Sequence, residues 1–374
     1  MGRCKIHISP GTIFVGQNPY HILVMEPCSM ELRKDPITRS WVLMANGETF
    51  EATTAACPYC PGGEAGGVTP ILTHSIYGQH SGVLVYPHPR PLYRIEGESE
   101  RRGDGFYDRM RALGAHELIV EGAEHNSSLS MRTEAEIISL LDCWALRIDD
   151  LKRDARFKYI TVFKNYGETS GQQIRHAHSE LTATTFIPRR ILYELRAAQE
   201  YYQLKERCVV CDIVRQEEQQ AQRVVDLSPR YLAICPFASR VPYELWIVPR
   251  YHHASYEADM LRDRAYAELA GILKRSLARL EQVTDSYHLV LHTSPNTNRR
   301  PEVPGYWNTL QEDYHWHMEI LPITEKRSKS YSIKEVYFSS MPPEKAAARL
   351  RELPASRKAA PQSKLTFDEG KQSK

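Results

Sequence analysis

The sequence predicts an α+β fold built from two copies of one unit. The motifs C-x-x-C, E-L-x₆-H and H-x-H-x-E occur twice in the same order, and segments with strand character alternate with amphipathic helices. His125 follows Glu117 at an offset of eight positions, and His252 follows Glu244 at the same offset. Three motifs repeated in one order indicate a duplication. We therefore predict one unit over residues 31–190 and a second unit over 191–340.

Each element of the first unit has a local signal. β-branched and aromatic residues fill 157–163 and 181–187, which are predicted to be strands. Residues 133–152 are predicted to form a helix, because Thr133 and Glu136 make a capping-box pattern ahead of an apolar stripe. Such a stripe is expected to pack against the sheet and to have no further role.

The second unit repeats this helix, and both ends of the chain differ from the units. An apolar stripe with the same spacing predicts a helix over 261–283. Residues 1–30 precede the first recognisable pattern and are predicted to be an N-terminal extension, with Met30 as an alternative start. Residues 341–374 are polar and poor in large apolar side chains, which predicts a disordered tail.

Composition and charge exclude several classes of function. The 374 residues include 48 basic and 46 acidic side chains, and the net charge of +2 does not favour nucleic acid as a partner. No apolar run reaches the roughly 18 residues that a transmembrane helix needs. The N-terminus also lacks the apolar run of a signal peptide. We therefore expect a cytoplasmic protein with no membrane partner.

Four of the eight cysteines stand in two C-x-x-C pairs, Cys57/Cys60 and Cys208/Cys211. In a reducing compartment such pairs indicate metal binding or redox chemistry more than a structural disulfide. Each pair is followed by spaced histidines, and two such arrangements are a stronger signal than one. The pairs therefore favour metal sites.

A row of ionisable side chains occupies the segment GQQIRHAHSEL, where His176, His178 and Glu180 stand at alternate positions. We predict a strand over 174–187, which would place all three on one face. An imidazole nitrogen on that face can attack a phosphate ester and form a phosphoramidate, which divides the transfer into two easier steps. The preceding loop NYGETSG, residues 165–171, offers backbone amides that could face an anion.

Six segments in this order resemble one known family: RKDPIT, CPYC, HELIVEGAEH, FKNYGETSG, HAHSE and DYHWHMEILP. They are similar to the galactose-1-phosphate uridylyltransferases and their relatives, the adenylyl-sugar phosphorylases, which form a branch of the histidine-triad superfamily. The resemblance covers residues 31 to 340. It implies two tandem histidine-triad-like domains, each an antiparallel sheet with packed helices, and a homodimer.

The resemblance also implies an enzyme. It would be a nucleotidyltransferase that moves a nucleoside monophosphate between a sugar phosphate and a (di)phosphate through a covalent nucleotidyl-histidine. The second histidine of H-x-H is the nucleophile in this pattern, which is His178 here, and Glu180 stands beside it. The partners implied are a nucleotide sugar and a sugar phosphate or phosphate.

A metal site is implied in each half. The first histidine of H-x-H helps to bind structural zinc in this family, and the ligand set carried over is Cys57, Cys60, His125 and His176. The second half offers Cys208, Cys211, His252 and His315 for a second zinc, with His253 as an alternative to His252. These compositions suit tetrahedral zinc.

The uridylyltransferase branch has an iron site in the second half instead. The residues at its places are Glu194, His292, His315 and His317. His315 belongs to both schemes, so both cannot be filled, and the soft thiolates of the cysteine pair favour zinc.

The residues at the substrate-binding positions differ from the family pattern more than the residues at the metal-binding positions do. The positions carried over as substrate-binding are Arg33, His88, Asn165, Gly167, Gly171 and Gln173. His88 stands where an asparagine often meets the nucleoside, and Gln173 stands in the place of a serine. The base and the sugar therefore do not follow from the resemblance.

Glu180 is the largest departure, because the family pattern is H-x-H-x-Q. An ionised glutamate has no donor to offer a phosphate oxygen. At ~4 Å and an effective dielectric of ~20 the repulsion is about 4 kcal/mol, enough to slow transfer roughly a thousandfold. Glu180 could be protonated, or it could be neutralised by a cation, with Arg175, Arg189 and Arg190 nearest in sequence.

Other uses of the row remain open. His176, His178 and Glu180 could bind a metal as two histidines and a carboxylate. Glu180 could act as a general base in a hydrolase that releases the nucleotide from His178 to water. A phosphorylase and a non-catalytic, zinc-stabilised nucleotide-binding protein are further alternatives.

Overall fold

The computed structural model describes residues 30–44, 57–63, 67–75, 82–298, 308–324 and 336–356. The proposed extension before Met30 lies outside the described residues, as does the end of the predicted tail, residues 357–374.

Strands and helices alternate along the described chain. The strands are β1 (Glu31–Lys34), β2 (Trp41–Met44), β3 (Leu72–His74), β4 (Val83–Pro87), β5 (Arg102–Asp104), β6 (Tyr107–Arg111), β7 (Gly114–Val120), β8 (Tyr159–Tyr166), β9 (His178–Thr184), β10 (Val224–Leu227), β11 (Tyr231–Ile234), β12 (Leu245–Pro249), β13 (Tyr287–His292) and β14 (His317–Pro322). The helices are α1 (Glu134–Lys152), α2 (Arg189–Lys205), α3 (Val209–Gln220), α4 (Tyr256–Asp263), α5 (Tyr266–Leu280), α6 (Leu310–Asp313) and α7 (Pro343–Glu352).

Ten of these strands form one antiparallel sheet in the order β10-β11-β12-β14-β13-β8-β9-β7-β4-β3. The order is symmetric about its centre, where β8 pairs with β13 from Tyr166↔Tyr287 to Val162↔Leu291. Outward from there, β9, β7, β4 and β3 correspond to β14, β12, β11 and β10. Two tandem copies joined edge to edge would produce this order. The domain boundaries at 31–190 and 191–340 stay a prediction.

The helix over 133–152 is confirmed. Thr133 caps α1, and Glu136 completes the capping box by accepting from the Thr133 backbone amide at 2.8 Å. The helix fixes its place on the sheet through Trp144, whose indole donates to Ser179 of β9 at 3.0 Å. The apolar stripe belongs to the main core, as expected for a helix packed on a sheet.

The helix expected over 261–283 is interrupted. Arg264 ends α4 in a left-handed conformation with φ 52°, and α5 begins at Tyr266. Residues 261–263 therefore belong to a separate helix. The apolar stripe of α5 packs into the main core as predicted.

Two further expectations need correction. The strand predicted over 174–187 begins only at His178, so His176 lies before β9 and not in a row with His178 and Glu180. The disordered tail predicted from residue 341 is wrong for Pro343–Glu352, which form α7. Its small apolar face, which includes Ala347 and Leu350, is fully buried in the main core. Ala and Leu suffice to anchor a helix whose other faces are polar.

A second sheet has the order β2-β1-β6-β5 and a small core of its own around Leu32 and Met110. Within the residues that the structure describes, no helix combines the length and the apolarity that crossing a membrane requires.

Candidate active site and metal centres

Strand β9 divides its side chains between two faces of the ten-stranded sheet. Ser179 points toward α1, where it accepts from Trp144. The alternate residues His178 and Glu180 therefore point to the opposite face. His178 and Glu180 therefore lie on the face of the sheet that does not pack against α1.

The tautomer of His178 follows from its hydrogen bond. Nδ1 lies 2.7 Å from the carbonyl oxygen of His176 and donates to it, which leaves the Nε2 lone pair free. Nε2 lies 3.6 Å from a carboxylate oxygen of Glu180. The ring is only 1% exposed. A phosphate can therefore reach Nε2 only after the Glu180 side chain or a neighbouring loop moves.

A buried ion pair supports the backbone at the same position. Lys164, which is fully buried, donates to the carbonyl oxygen of His178 and to Glu121, each at 2.9 Å. Burial alone lowers the pKa of Lys164, while the Glu121 carboxylate opposes that change. The ion pair lies on the helix side of the sheet, and its hydrogen bond to the carbonyl fixes the backbone of His178, the first residue of β9.

Glu180 is surrounded by imidazoles. His116 Nε2 donates to it at 2.9 Å, and His88 Nε2 lies 3.9 Å away. Burial alone would raise the pKa of Glu180, but the hydrogen bond from His116 and the neighbouring imidazoles lower it to about 2. Glu180 is therefore ionised at neutral pH, which disfavours the alternative in which its protonated carboxyl acts as a donor.

Two of the three arginines nearest to Glu180 in sequence, Arg189 and Arg190, contact other groups. Arg190 pairs with Glu194 and Glu319, and Arg189 donates to Tyr193. The described ion pairs of Glu180 are all to histidines. Neutralisation by Arg190 is therefore wrong.

His116 is the residue that sequence reasoning missed. It lies on β7, whose Leu118 is directly opposite Glu180, so His116 reaches the carboxylate diagonally across the strand pair. Its ring stacks on His88 with centroids 4.0 Å apart. The alternation of β7 offered a signal, because Glu117 faces α1 and binds Arg147 there. His116 must then face the same side as Glu180.

The first cysteine pair lies beside this row. The ligand atoms of Cys57, Cys60, His125 and His176 all lie within 4.8 Å of one another. Cys60 Sγ is 3.2 Å from His125 Nδ1 and 3.6 Å from His176 Nδ1. His176 Nε2 donates to the Gly122 carbonyl at 2.8 Å, which leaves Nδ1 free as a ligand atom.

The second cysteine pair has the same construction. Cys208, Cys211, His252 and His315 form the corresponding group. Cys211 Sγ is 3.4 Å from His252 Nδ1 and 3.5 Å from His315 Nδ1. His252 Nε2 donates to the Gln311 carbonyl at 2.8 Å, so Nδ1 again faces the thiolates. His253 points to Asp259 instead, with Nε2 3.4 Å from that carboxylate.

Both groups fit a tetrahedral metal. Zinc with sulfur at about 2.3 Å and nitrogen at about 2.0 Å places these ligand atoms about 3.5 Å apart. The observed separations of 3.2 to 3.8 Å match that geometry. Each group could therefore hold a metal ion that links distant segments of chain, and the identity of the ion is taken up below.

A third group lies at the place of the iron alternative. It contains Glu194, His292, His317 and Glu319, while His315 belongs to the cysteine group. Arg190 and Arg240 donate to the two oxygens of Glu319 at 2.8 and 2.7 Å. Two guanidinium groups already contact this carboxylate, so the group forms an ion network, and a metal at this place stays a prediction.

Two of the expected substrate contacts are engaged elsewhere. Arg33, on β1 of the second sheet, has a side chain that is 62% exposed and donates to Glu31. Asn165 accepts from His288 Nδ1 at 2.8 Å across the central strand pair, although it shares a face of β8 with Phe163, which lies opposite Glu180. Both assignments stay predictions.

The loop before His176 is shaped by packing. Gly167 has φ 90°, and a Cβ there would lie 2.2 Å from the Asp285 carbonyl oxygen. Its amide donates to the Gln172 side chain at 3.3 Å. Gly171 also has positive φ, but it faces open space, and Gln173 is exposed. This glycine pattern is therefore explained without an anion, and a phosphate-binding role for the loop stays a prediction.

Two cavities of about 20 and 210 Å³ lie beside the second sheet. Met30 and Arg111 line both of them, and His178 lines neither. They do not identify a substrate site next to the predicted nucleophile.

Comparison with known proteins agrees with the geometry of the site. The sequence model of the galactose-1-phosphate uridyl transferase N-terminal domain matches residues 94–188, which include β7, β8 and β9. The resemblance to the galactose-1-phosphate uridylyltransferase family is confirmed. The α+β fold and the prediction of a nucleotidyltransferase are confirmed with it.

Relatives in this family carry two different names. ADP-glucose phosphorylase from Arabidopsis thaliana is 26% identical over 315 residues, covering 80% of this chain and 86% of the relative. Galactose-1-phosphate uridylyltransferase from Thermotoga maritima is 26% identical over 335 residues, covering 86% and 98%. Because the chain is equally identical to a phosphorylase and to a uridylyltransferase, similarity does not decide which group accepts the nucleotide.

Solved structures of the family superpose on most of the chain. A uridylyltransferase mutant aligns with TM-score 0.73 and 27% identity, over 86% of this chain and 97% of that one. ADP-glucose phosphorylase from Arabidopsis thaliana with bound ADP-glucose aligns with TM-score 0.68 and 26% identity, over 87% and 99%. The fold described above is therefore the fold of the family.

Proposed function

We propose that this chain transfers a nucleoside monophosphate from a nucleotide sugar through a covalent intermediate on His178 Nε2. One observation carries the proposal: His178 donates from Nδ1 to the His176 carbonyl, so its nucleophilic nitrogen is Nε2, which faces Glu180. Nε2 would attack the α-phosphorus, and the sugar phosphate would leave with the electrons of the broken P–O bond. An acceptor phosphate oxygen would then break the N–P bond.

We further propose that zinc fills both cysteine groups, with Cys57, Cys60, His125 and His176 as one ligand set. The mixed thiolate and imidazole donors support zinc over harder ions. Bound zinc would supply structural rigidity. Because the His176 carbonyl accepts the His178 proton, fixing His176 also fixes the tautomer and the angle of the nucleophile.

The covalent step is tested by labelling. Incubation with radiolabelled UDP-sugar or ADP-sugar is expected to leave a label on His178 that acid removes and base does not. His178→Asn should abolish the label, and the matched variant His253→Asn should retain it. No label from any nucleotide sugar, on protein that contains two zinc ions per chain, would refute the proposal.

The acceptor is tested by the product. A sugar phosphate as acceptor gives a new nucleotide sugar, phosphate gives a nucleoside diphosphate, and water gives free nucleoside monophosphate. The low pKa of Glu180, about 2, makes it a weak general base and disfavours the hydrolase alternative. We propose transfer to a phosphate oxygen, and release of monophosphate at the same rate with and without acceptor would contradict it.

A cytoplasmic location and a homodimer complete this proposal. Both rest on the sequence and the family resemblance. Fractionation of cells and light scattering of the purified protein would test them directly.

A further inference from the structure

The two copies of H-x-H-x-E treat their glutamate differently. Glu319 of the second copy receives two arginines, with the Arg190 and Arg240 nitrogens at 2.8 and 2.7 Å. Glu180 of the first copy has three histidines as its described ion-pair partners. The glutamate of the motif is thus neutralised by arginines in the second half, whereas in the first half none of the described arginines or lysines pairs with it.

The protons of these histidines can be placed from their hydrogen bonds. The Leu92 amide donates to His116 Nδ1 at 3.1 Å, so the His116 proton is on Nε2, where it serves Glu180. His88 Nδ1 lies 2.8 Å from the Arg90 carbonyl oxygen and 3.2 Å from the Arg90 amide nitrogen. The amide contact suits the tautomer protonated on Nε2, whereas the shorter carbonyl contact suits a proton on Nδ1, which leaves the His88 Nε2 lone pair facing Glu180.

With these proton positions, three electron-rich groups face one another: the lone pairs of His88 Nε2 and His178 Nε2 and the carboxylate of Glu180. The His116 Nε2 proton is the donor beside them. His88, His116 and Glu180 each offer a ligand atom, and these atoms all lie within 4.8 Å of one another. A positive ion between His88 Nε2 and the carboxylate would interact favourably with both.

We infer that His88 Nε2 and the Glu180 carboxylate form a binding site for a divalent first-row cation beside the nucleophile. The two atoms are 3.9 Å apart. A cation with ligands at about 2.1 Å fits between atoms up to about 4.2 Å apart, so the site needs no movement of the backbone. His116 orients the carboxylate and does not bind the ion, because its Nε2 carries the proton.

Two protein ligands leave most coordination positions open for water or phosphate oxygens. The cation would turn the repulsion between Glu180 and a phosphate into attraction, which is the task of the amide in the family's H-x-H-x-Q. This second part rests on the proposed nucleotidyl transfer, whereas cation binding does not. Mixed imidazole and carboxylate ligands suit Mn²⁺, which is also a convenient probe.

Binding is tested with Mn²⁺ on full-length protein that already contains two zinc ions per chain. Loss of the free Mn²⁺ signal in electron paramagnetic resonance is expected to show one bound ion per chain. His88→Asn and Glu180→Gln should each weaken binding at least tenfold. Asp263→Asn removes a carboxylate from another described group, His253, Asp259 and Asp263, and should leave binding unchanged.

The inference is overturned if the wild type binds no Mn²⁺ below millimolar concentration. It is equally overturned if both site variants bind like the wild type, or if Asp263→Asn is the variant that loses the ion. Zinc content and near-ultraviolet circular dichroism identify any variant that has lost its fold. Glu180→Gln, which is nearly isosteric, then decides the outcome.

The role of the cation is tested by the labelling rate. Wild-type protein is expected to label His178 at least tenfold faster with Mn²⁺, and Glu180→Gln should label without it, because its amide donates directly. Equal labelling of the wild type with and without Mn²⁺ overturns the role. Mn²⁺ binding without any labelling would instead refute the proposed transfer and leave the cation site standing.

Discussion

At the scale of single residues, the role of each site histidine depends on which of its ring nitrogens carries the proton. His178 and His176 both have one ring nitrogen tied to a backbone carbonyl, but opposite nitrogens are used. His176 thereby presents Nδ1 to the cysteines, and His178 presents Nε2 to Glu180. Two histidines two residues apart thus serve different chemistry because their backbone acceptors differ.

The buried pair under His178 gives a prediction on stability. Lys164→Met would leave the Glu121 carboxylate uncompensated in a position with no exposed surface, which costs about 3–5 kcal/mol of unfolding free energy. Denaturant unfolding would measure the loss. Adding Glu121→Gln should recover much of it, whereas Arg153→Met, which breaks an exposed pair with Asp149, should cost less than about 1 kcal/mol. Equal costs for the two single variants would contradict the account.

At the scale of elements, the loop after β8 is constrained by the second half of the chain. Gly167 lies against Asp285 and Ser286, which immediately precede β13. The contact exists because β8 and β13 pair at the centre of the sheet.

Two glycine variants separate packing from backbone strain in this loop. Gly167→Ala puts a methyl group 2.2 Å from a backbone oxygen, while Gly171→Ala has the same kind of positive φ but open space. We expect Gly171→Ala to cost about 1 kcal/mol and Gly167→Ala at least about 2 kcal/mol more. Thermal unfolding of both variants checks this, and similar melting temperatures would show that the contact is not what requires glycine.

The ion network around β14 predicts a pH dependence. Burial alone would lower the pKa of His292, but Glu194 and Glu319 raise it from 6.5 to about 9. Its charge therefore stabilises the fold fully below pH 6.5, and the contribution, on the order of 3 kcal/mol, is lost as pH rises through about 9. His292→Gln should lack this alkaline loss. Unfolding curves between pH 6 and 10 that keep the same slope in the variant would contradict the prediction.

At the scale of the whole molecule, the two cysteine groups act as corresponding clamps. Each ties a C-x-x-C pair to the histidine that opens an H-x-H motif, and each draws its fourth ligand from the segment after β7 or β12. The groups therefore join residues that lie up to 119 and 107 positions apart in the sequence.

Metal analysis tests both clamps. We expect two zinc ions per chain by inductively coupled plasma mass spectrometry, with Cys57→Ser and Cys208→Ser each retaining one. Both variants should unfold at lower temperature, because a structural zinc site contributes directly to folding. His253→Asn should keep both ions.

Local patterns predicted those parts of the molecule that local physics decides. The capping box placed α1, and the spacing of cysteines and histidines anticipated the two groups that the structure assembles. His116 and Arg190 were not anticipated in their places, because strand register and contacts between halves determine their partners. The start of β9 was missed because the chain bends at His176 to bring its ring to the cysteines, and this overrides strand propensity.

The central pairing of β8 with β13 has a mechanical consequence. Ten strands bonded edge to edge through that seam behave as one plate, so the halves cannot swing apart as separate lobes do. Entry of a nucleotide sugar to His178 must then come from movement of the Glu180 side chain or of a loop on that face of the sheet. A fragment ending near residue 190 would carry β8 as a bare edge and would tend to aggregate.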